Sequence, residues 1–345
     1  MRTFRIVIVV LLALLSAQQA VRAQSLAYGL FERYLDPLRT QAGIPGLAVG
    51  IVQDGRVWQR EFGWADVERS VAVLPDTPFF IADLSQMFGA TLLMQSVERG
   101  ELTLDDRVGR WTSVLPQPGA TVRQALTHTT TGSYLYDRRN FAALTPIIES
   151  SHDEPYRRTL AREILTRLAM TSSAPGHDFD QPGAALGELF EPGELARYHD
   201  VMRRMALPYR VDGRGRATRA QFPVHPMDAS MGVVSTVRDL ARFDDALDDG
   251  ILLDPEMLAY MRTGAQPGTP VGLGWFVQAY NGERLVWHFG VVPGAYSSLF
   301  LKVPSRNLTL ILLANSDGLS APFALERGDV TTSLFAKLFL SLFVS

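Results

Sequence analysis

The sequence predicts an α/β fold in which a lobe of sheet and helix is assembled from both ends of the chain, with an all-α lobe inserted between them. Three observations carry this. Strand patterns gather before residue 82 and after residue 226. The stretch from about 100 to 225 shows helical periodicity broken by Pro and Gly, with no convincing strand. A final amphipathic segment closes the chain. The lobes are placed at 24–82 with 226–345 and at 83–225, and a cleft is expected between them.

Residues 1–23 read as an export signal: Arg2 and Arg5, the apolar run Ile6 to Leu15, then Val21-Arg22-Ala23 before Gln24. The run is shorter than the ~20 residues a bilayer span needs. Cleavage after Ala23, a periplasmic or secreted mature protein and no stable membrane insertion are therefore expected. Gly46 to Val52 and Arg56 to Phe62 flank the turn signal Asp54-Gly55 and predict a hairpin. From Gln86 to Arg99, Met87, Leu92, Leu93, Met94 and Val97 mark a mostly buried helix ended by Gly100. Tyr156 to Met170 and Leu186 to Met205 are helical patterns in the insertion. Val237 to Leu247 is a further helix, after whose apolar face Asp244, Asp245, Asp248 and Asp249 read as the solvated side. Strands are predicted at Gly274 to Tyr280, Arg284 to His288, Tyr296 to Val303 and Leu308 to Asn315. In the last segment Leu334, Phe335, Leu338, Phe339 and Leu342 share one helical face, fit to cover a sheet.

With 345 residues, 47% hydrophobic and 20% charged, the chain can bury a core without staples. The absence of cysteine removes disulfides, thiol nucleophiles and cysteine-based metal sites. A formal charge of −3 argues against nucleic acid as a partner. Lysine occurs only at Lys302 and Lys337, so almost every cation is an arginine, which is a poor general base.

Thr77-Pro-Phe-Phe-Ile-Ala-Asp-Leu-Ser-Gln-Met-Phe88 resembles the serine β-lactamase and penicillin-binding protein family, in its class C-like esterase and D-aminopeptidase branch. Further phrases follow in order: Gly43-Ile-Pro-Gly-Leu-Ala-Val49, Leu126-Thr-His-Thr129, Ser235-Thr236 with Asp239-Leu240-Ala241, Gly272-Leu-Gly-Trp275, His288-Phe-Gly290 and Leu313-Ala-Asn-Ser316. The resemblance implies a β-lactamase/transpeptidase-like antiparallel sheet covered by N- and C-terminal helices. It implies no cofactor and no metal. It also implies acyl-enzyme chemistry, in which a Ser-x-x-Lys pair on one helical face supplies nucleophile and base. In that register this chain has Asp83 and Gln86, and both lysines lie far away in sequence. The family's Tyr-x-Asn should follow Pro175-Gly176, where the chain reads His177-Asp-Phe-Asp-Gln-Pro-Gly183, with no Tyr or Asn. The Lys/His-x-Gly phrase survives as His288-Phe289-Gly290, on the strand that gives the family an oxyanion-hole N–H.

Asp83 has two readings. It forms a capping box with Gln86, its carboxylate accepting from the Gln86 backbone N–H, or it is a rebuilt nucleophile or base. Ser85 is turned to the wrong helical face. His288 is either a cleft residue or a satisfied strand residue. His128 bonds locally. His177, Asp178 and Asp180 form a loop cluster without metal-ligand spacing, which fits a ligand contact or a solvated loop. Tyr134, Tyr136 and Tyr296 either line the cleft or pack. The ligand-binding candidates are accordingly Asp83, Gln86, His288, Gly290, Asp178 and Asp180. Three functions remain open. The first is an exported, non-catalytic binding or regulatory protein, whose partner the resemblance and compartment imply to be a cell-wall peptide or small molecule. The second is a hydrolase of esters, β-lactams or D-amino-acid peptides with a rebuilt site. The third is an interaction domain whose cleft is closed by bulky residues such as Phe80, Met87 and Phe289.

Overall fold

A computed structural model describes residues 25–117, 119–179, 186–222, 227–264 and 269–344. Residues 1–23, for which an export signal is expected, and Asp180 lie outside them. Helix α1 (25–41) leads into the hairpin β1 (Gly46–Gln53) and β2 (Arg56–Asp66). Asp54 and Gly55 in its turn both have positive φ, 50° and 72°, the geometry that a two-residue hairpin of this hand requires. Short strands β3 (Val71–Ala72) and β4 (Phe79–Phe80) follow. A 3₁₀ turn at Ala82–Leu84 then opens helix α2 (Ser85–Glu98), which is buried all round from Ser85 to Ser96. The resemblance's central helix is thus a core helix rather than an amphipathic one.

The insertion carries α3 (Val122–Leu126), α4 (Arg138–Ala142), α5 (Thr145–His152), α6 (Tyr156–Leu160, continued by a π-helical turn at Ala161–Thr166) and α7 (Pro192–Arg204). Against expectation it also holds a hairpin, β5 (Tyr209–Val211) with β6 (Ala217–Arg219). Three residues per strand are too few for a period of two to register in the sequence. The predicted helix 156–170 ends early, and that over 186–205 starts only at Pro192, whose ring suits the first turn.

Beyond the insertion come β7 (Val234–Ser235, paired with β4), α8 (Val237–Asp248), α9 (Pro255–Met261), β8 (Phe276–Tyr280), β9 (Glu283–Val292), β10 (Tyr296–Val303), β11 (Leu308–Ala314) and α10 (Leu334–Phe343). Seven strands form one antiparallel sheet in the order β3-β2-β1-β11-β10-β9-β8. Its two faces sort by the strand period. Leu47, Val49, Leu310, Leu312, Trp287 and Phe289 pack under α1 and α10, against Phe31, Leu35, Phe335 and Phe339. Each such buried side chain contributes about 1.5–3 kcal/mol relative to exposure. Ala48, Ile311, Leu313, Phe300 and Val286 face α2 and α8. His288 and Gly290 share that second face with Val286, which aims them at the start of α2.

Gly290 has a specific job. A Cβ there would stand 2.3 Å from the Ile81 carbonyl oxygen and 3.0 Å from the Asp83 nitrogen, so only glycine lets β9 approach the 3₁₀ turn so closely. Ser298 Oγ clamps the same carbonyl at 2.7 Å.

Of the acidic run on α8, Asp248 and Asp249 are exposed as expected, whereas Asp244 is not. Asp244 is buried and accepts from Lys302 Nζ at 2.8 Å, while Asp248 Oδ2 lies 2.6 Å from the same ammonium. One face of α8 lies on β1 and β11, so the residue spacing that suggested a solvated side instead places Asp244 against the buried Lys302 of the next strand, β10. No helix among the described residues is long and apolar enough to cross a membrane.

Candidate functional site

Asp83 sits in the middle of the 3₁₀ turn, one residue after Ala82, whose φ is +51°. Left-handed backbone at a non-glycine residue costs roughly 1–2 kcal/mol and persists only where the surroundings enforce it. The helix that follows is capped by Leu84 with no side-chain capping bond. The capping-box expectation for Asp83 and Gln86 is therefore wrong: the extra turn displaces Asp83 from the cap position, and its oxygens find stronger donors.

Those donors come from two directions. From the segment before α4, Tyr136 Oη donates to Asp83 Oδ1 at 3.0 Å. The Arg138 guanidinium forks onto the carboxylate, Nε to Oδ1 in a very short contact and Nη2 to Oδ2 at 2.8 Å. From β9, the Val291 backbone N–H donates to Asp83 Oδ2 at 3.0 Å. Arg138 Nη2 also reaches the Val291 carbonyl oxygen, so one arginine ties the turn to the strand. Asp83 is wholly buried and Arg138 partly exposed. A two-point charge-assisted pair of this kind is the strongest neutraliser available to a buried carboxylate.

Gln86 takes the next place on the same face. Its Nε2 donates to Tyr136 Oη at 3.0 Å, so the phenol bridges Gln86 and Asp83. Burial and the Asp83 charge push the Tyr136 phenol well above its ordinary pKa. It is held as a donor rather than as a phenolate base. Its ring lies 5.3 Å from Phe289 and 4.6 Å from His128, which anchors it over the end of β9. Tyr136 thus lines the site, whereas Tyr134 Oη donates to the Glu326 carbonyl oxygen at 2.5 Å. Tyr296 Oη donates to the Ala206 carbonyl oxygen at 2.7 Å.

The remaining expected residues divide. His288 is buried beside the site, but its Nδ1 lies 2.8 Å from the Phe289 carbonyl oxygen and it makes no hydrogen bond to Asp83. The convergence of Asp83 with the 290–292 backbone is present; that with His288 is not. Ser85 is turned away, its Oγ accepting from the Val233 N–H at 3.1 Å. Asp178 pairs with Arg157 at 2.8 Å, and Arg157 stands over the Phe179 ring, so Asp178 serves a local ion pair instead of the Asp83 site. Lys302 is committed to Asp244 and Asp248, far from any helper role at Asp83. Phe80 packs against Phe222, Tyr296 and His177, and Met87 lies in the core under the sheet. The residues over the Asp83 carboxylate are instead Tyr136 and Arg138.

Arg138 is the residue that sequence reading missed. Its only signal is negative: a buried Asp in a chain with two lysines needs an arginine, and no spacing rule chooses among so many.

His128, also with positive φ (52°), accepts from the Asp137 N–H at 3.3 Å through Nδ1 and packs on Phe141, the local role expected of it. Burial, with a smaller effect of nearby His288, lowers its pKa to about 3; burial lowers that of His288 to about 4. Both rings are neutral in the fold and protonate more readily in the unfolded chain, from the ordinary 6.5 downward. Stability is therefore fully present above pH 6.5 and falls as pH drops toward 4, at up to about 1.4 kcal/mol per pH unit for each ring. Urea midpoints measured from pH 7 to 4.5 should fall with this slope. The fall should be shallower in His288→Gln; an identical slope would remove His288 from the account.

A profile of the Beta-lactamase family matches residues 31–330. The chain is 27% identical to penicillin-binding protein 4 of Amycolatopsis lactamdurans, over 90% of this chain and 88% of that one. It is 26% identical to a D-aminopeptidase of Brucella anthropi over 72% of its length, spanning about half (52%) of that relative. Among solved structures it is similar to the octameric penicillin-binding protein homologue from Pyrococcus abyssi, with a TM-score of 0.73 and 22% identity over 91% of this chain and 77% of the other.

Proposed function

The chain belongs to the Beta-lactamase family, and from that premise we propose that it is an exported member that has given up acyl transfer and uses the remodelled cleft to bind or regulate. The observation that carries this reading is the Asp83 carboxylate, which the resemblance sets against the family nucleophile and which takes the Val291 N–H for itself. That N–H lies on the strand for which the resemblance implies an oxyanion donor. A carboxylate forked by Arg138 has its lone pairs engaged and none free to attack a substrate. Gln86 has no basic nitrogen with which to activate anything.

Loss of the nucleophile alone costs such enzymes several orders of magnitude, and what oxyanion stabilisation leaves behind, ~10³–10⁴ over water in a serine protease, needs a donor that is free. Here the donor is engaged. The ligand proposed for the cleft is a cell-wall peptide or a small molecule, by family and by the export signal read at 1–23.

Hydrolysis of a chromogenic cephalosporin and of short p-nitrophenyl esters by the mature protein, beside Asp83→Ala, tests the proposal. Rates indistinguishable from buffer in both proteins are expected. Turnover in the parent that disappears in Asp83→Ala would overturn it and make Asp83 the centre of a working hydrolase.

A further inference from the structure

A second site lies at the other end of the sheet. Along β10, Lys302 is four residues beyond Ser298, roughly 13 Å at strand rise, and faces the same side. There a pocket of about 320 Å³ is lined by Arg262, Arg284, Lys302, Asp248 and Asn307, with Pro304 and the flank of α9 completing its wall.

Its charges are unevenly matched. Asp248 spends one oxygen on Arg262 Nη1 at 2.9 Å and the other on Lys302 Nζ at 2.6 Å. Lys302 is further neutralised from behind by Asp244. Asp245 and Asp249 line an adjoining cavity that shares Asp248, Lys302 and Asn307 with this one. Arg284 is exposed and has no ion pair among the described residues. Arg262 is only 6% exposed, yet among the described residues its Nε and Nη2 have no acceptor; its guanidinium lies 5.5 Å over the Trp275 ring. A buried donor without an acceptor costs about 1–3 kcal/mol, more when charged, and at Arg262 two donors find none among the described residues.

We propose that this pocket binds a small oxyanion, a phosphate or carboxylate group, held by Arg262 and Arg284 with Lys302 behind them. The planar fork of arginine suits two-oxygen recognition of either group. The site is independent of the Asp83 cleft and stands whether or not that cleft is catalytic.

The test is the melting temperature of the full mature protein against inorganic phosphate and, separately, acetate, at fixed pH and ionic strength with chloride as the balancing anion. A rise that saturates with one of the two anions is expected, and the anion that produces it identifies the group. Arg284→Gln, which removes an exposed side chain without an ion pair and so leaves the fold intact, should weaken that binding about tenfold. No saturable rise with either anion, or the same rise in Arg284→Gln, overturns the proposal.

Discussion

Replacing Arg138 with alanine is expected to destabilise the protein by roughly 2–4 kcal/mol, because it strands the Asp83 carboxylate in a wholly buried position with only Tyr136 and the Val291 amide for company. Breaking a fully buried ion pair typically costs about 3–5 kcal/mol; the figure is reduced here because the Arg138 side chain is 36% exposed and part of its attraction is screened. The partner variant separates charge from packing. Asp83→Asn removes the stranded charge and keeps an oxygen for the Val291 N–H, so adding it to Arg138→Ala should recover a large part of the loss. A double-mutant cycle by urea unfolding should give a coupling of about 1–3 kcal/mol. A coupling near zero would mean that Arg138 matters only through the carbonyl it holds on β9.

The second large effect lies on β10. Lys302 and Asp244 have side chains only 3% and 2% exposed, and Asp244 is further engaged by Thr309 Oγ1 at 2.6 Å. Lys302→Ala should cost about 3–5 kcal/mol, since it leaves an uncompensated carboxylate beneath α8. Lys302→Met with Asp244→Asn removes both charges and keeps the volume, and it should return most of that stability. If single and double variants unfold at the same denaturant concentration, the loss comes neither from a stranded charge nor from lost volume but from the hydrogen bonds that Lys302 itself donates.

Much of the fold was legible because long elements carry long patterns. The hairpin of β1 and β2 declared itself through Asp54-Gly55 and β10 was bounded to the residue; the last helix was found, but it buries Phe335, Ala336, Phe339 and Leu340 and leaves Leu334 of the expected face exposed. Short elements were not legible: α4 and α5 have five and eight residues, and the β5/β6 hairpin has three per strand, so neither period repeats often enough to stand out. At the site, the resemblance sets Asp83 and Gln86 against the family Ser and Lys within one phrase. What the carboxylate does could not be read there, because its partners lie 53, 55 and 208 residues away. Local chemistry suggested a cap, and tertiary pairing with Arg138 won because a charged fork outweighs one backbone amide. The same blindness hid Asp244, whose partner Lys302 is 58 residues on. Spacing along α8 marks a face but does not say what lies against it.

The pairing of β1 with β11, which joins Leu47 to Ala314 at the middle of the sheet, has a kinetic consequence. On the ribosome the first hairpin emerges long before its inner neighbour exists, and β1 must wait with an unpaired edge while the whole insertion is synthesised. Contacts of such sequence separation are slow to form because their loop must close first. The insertion, rich in local helical contacts, can collapse early, whereas the central sheet closes only once the last strands are released. A chain shortened before β11 would therefore leave β1 permanently open and prone to pair with a neighbouring molecule, so that truncation favours aggregation over a smaller folded unit.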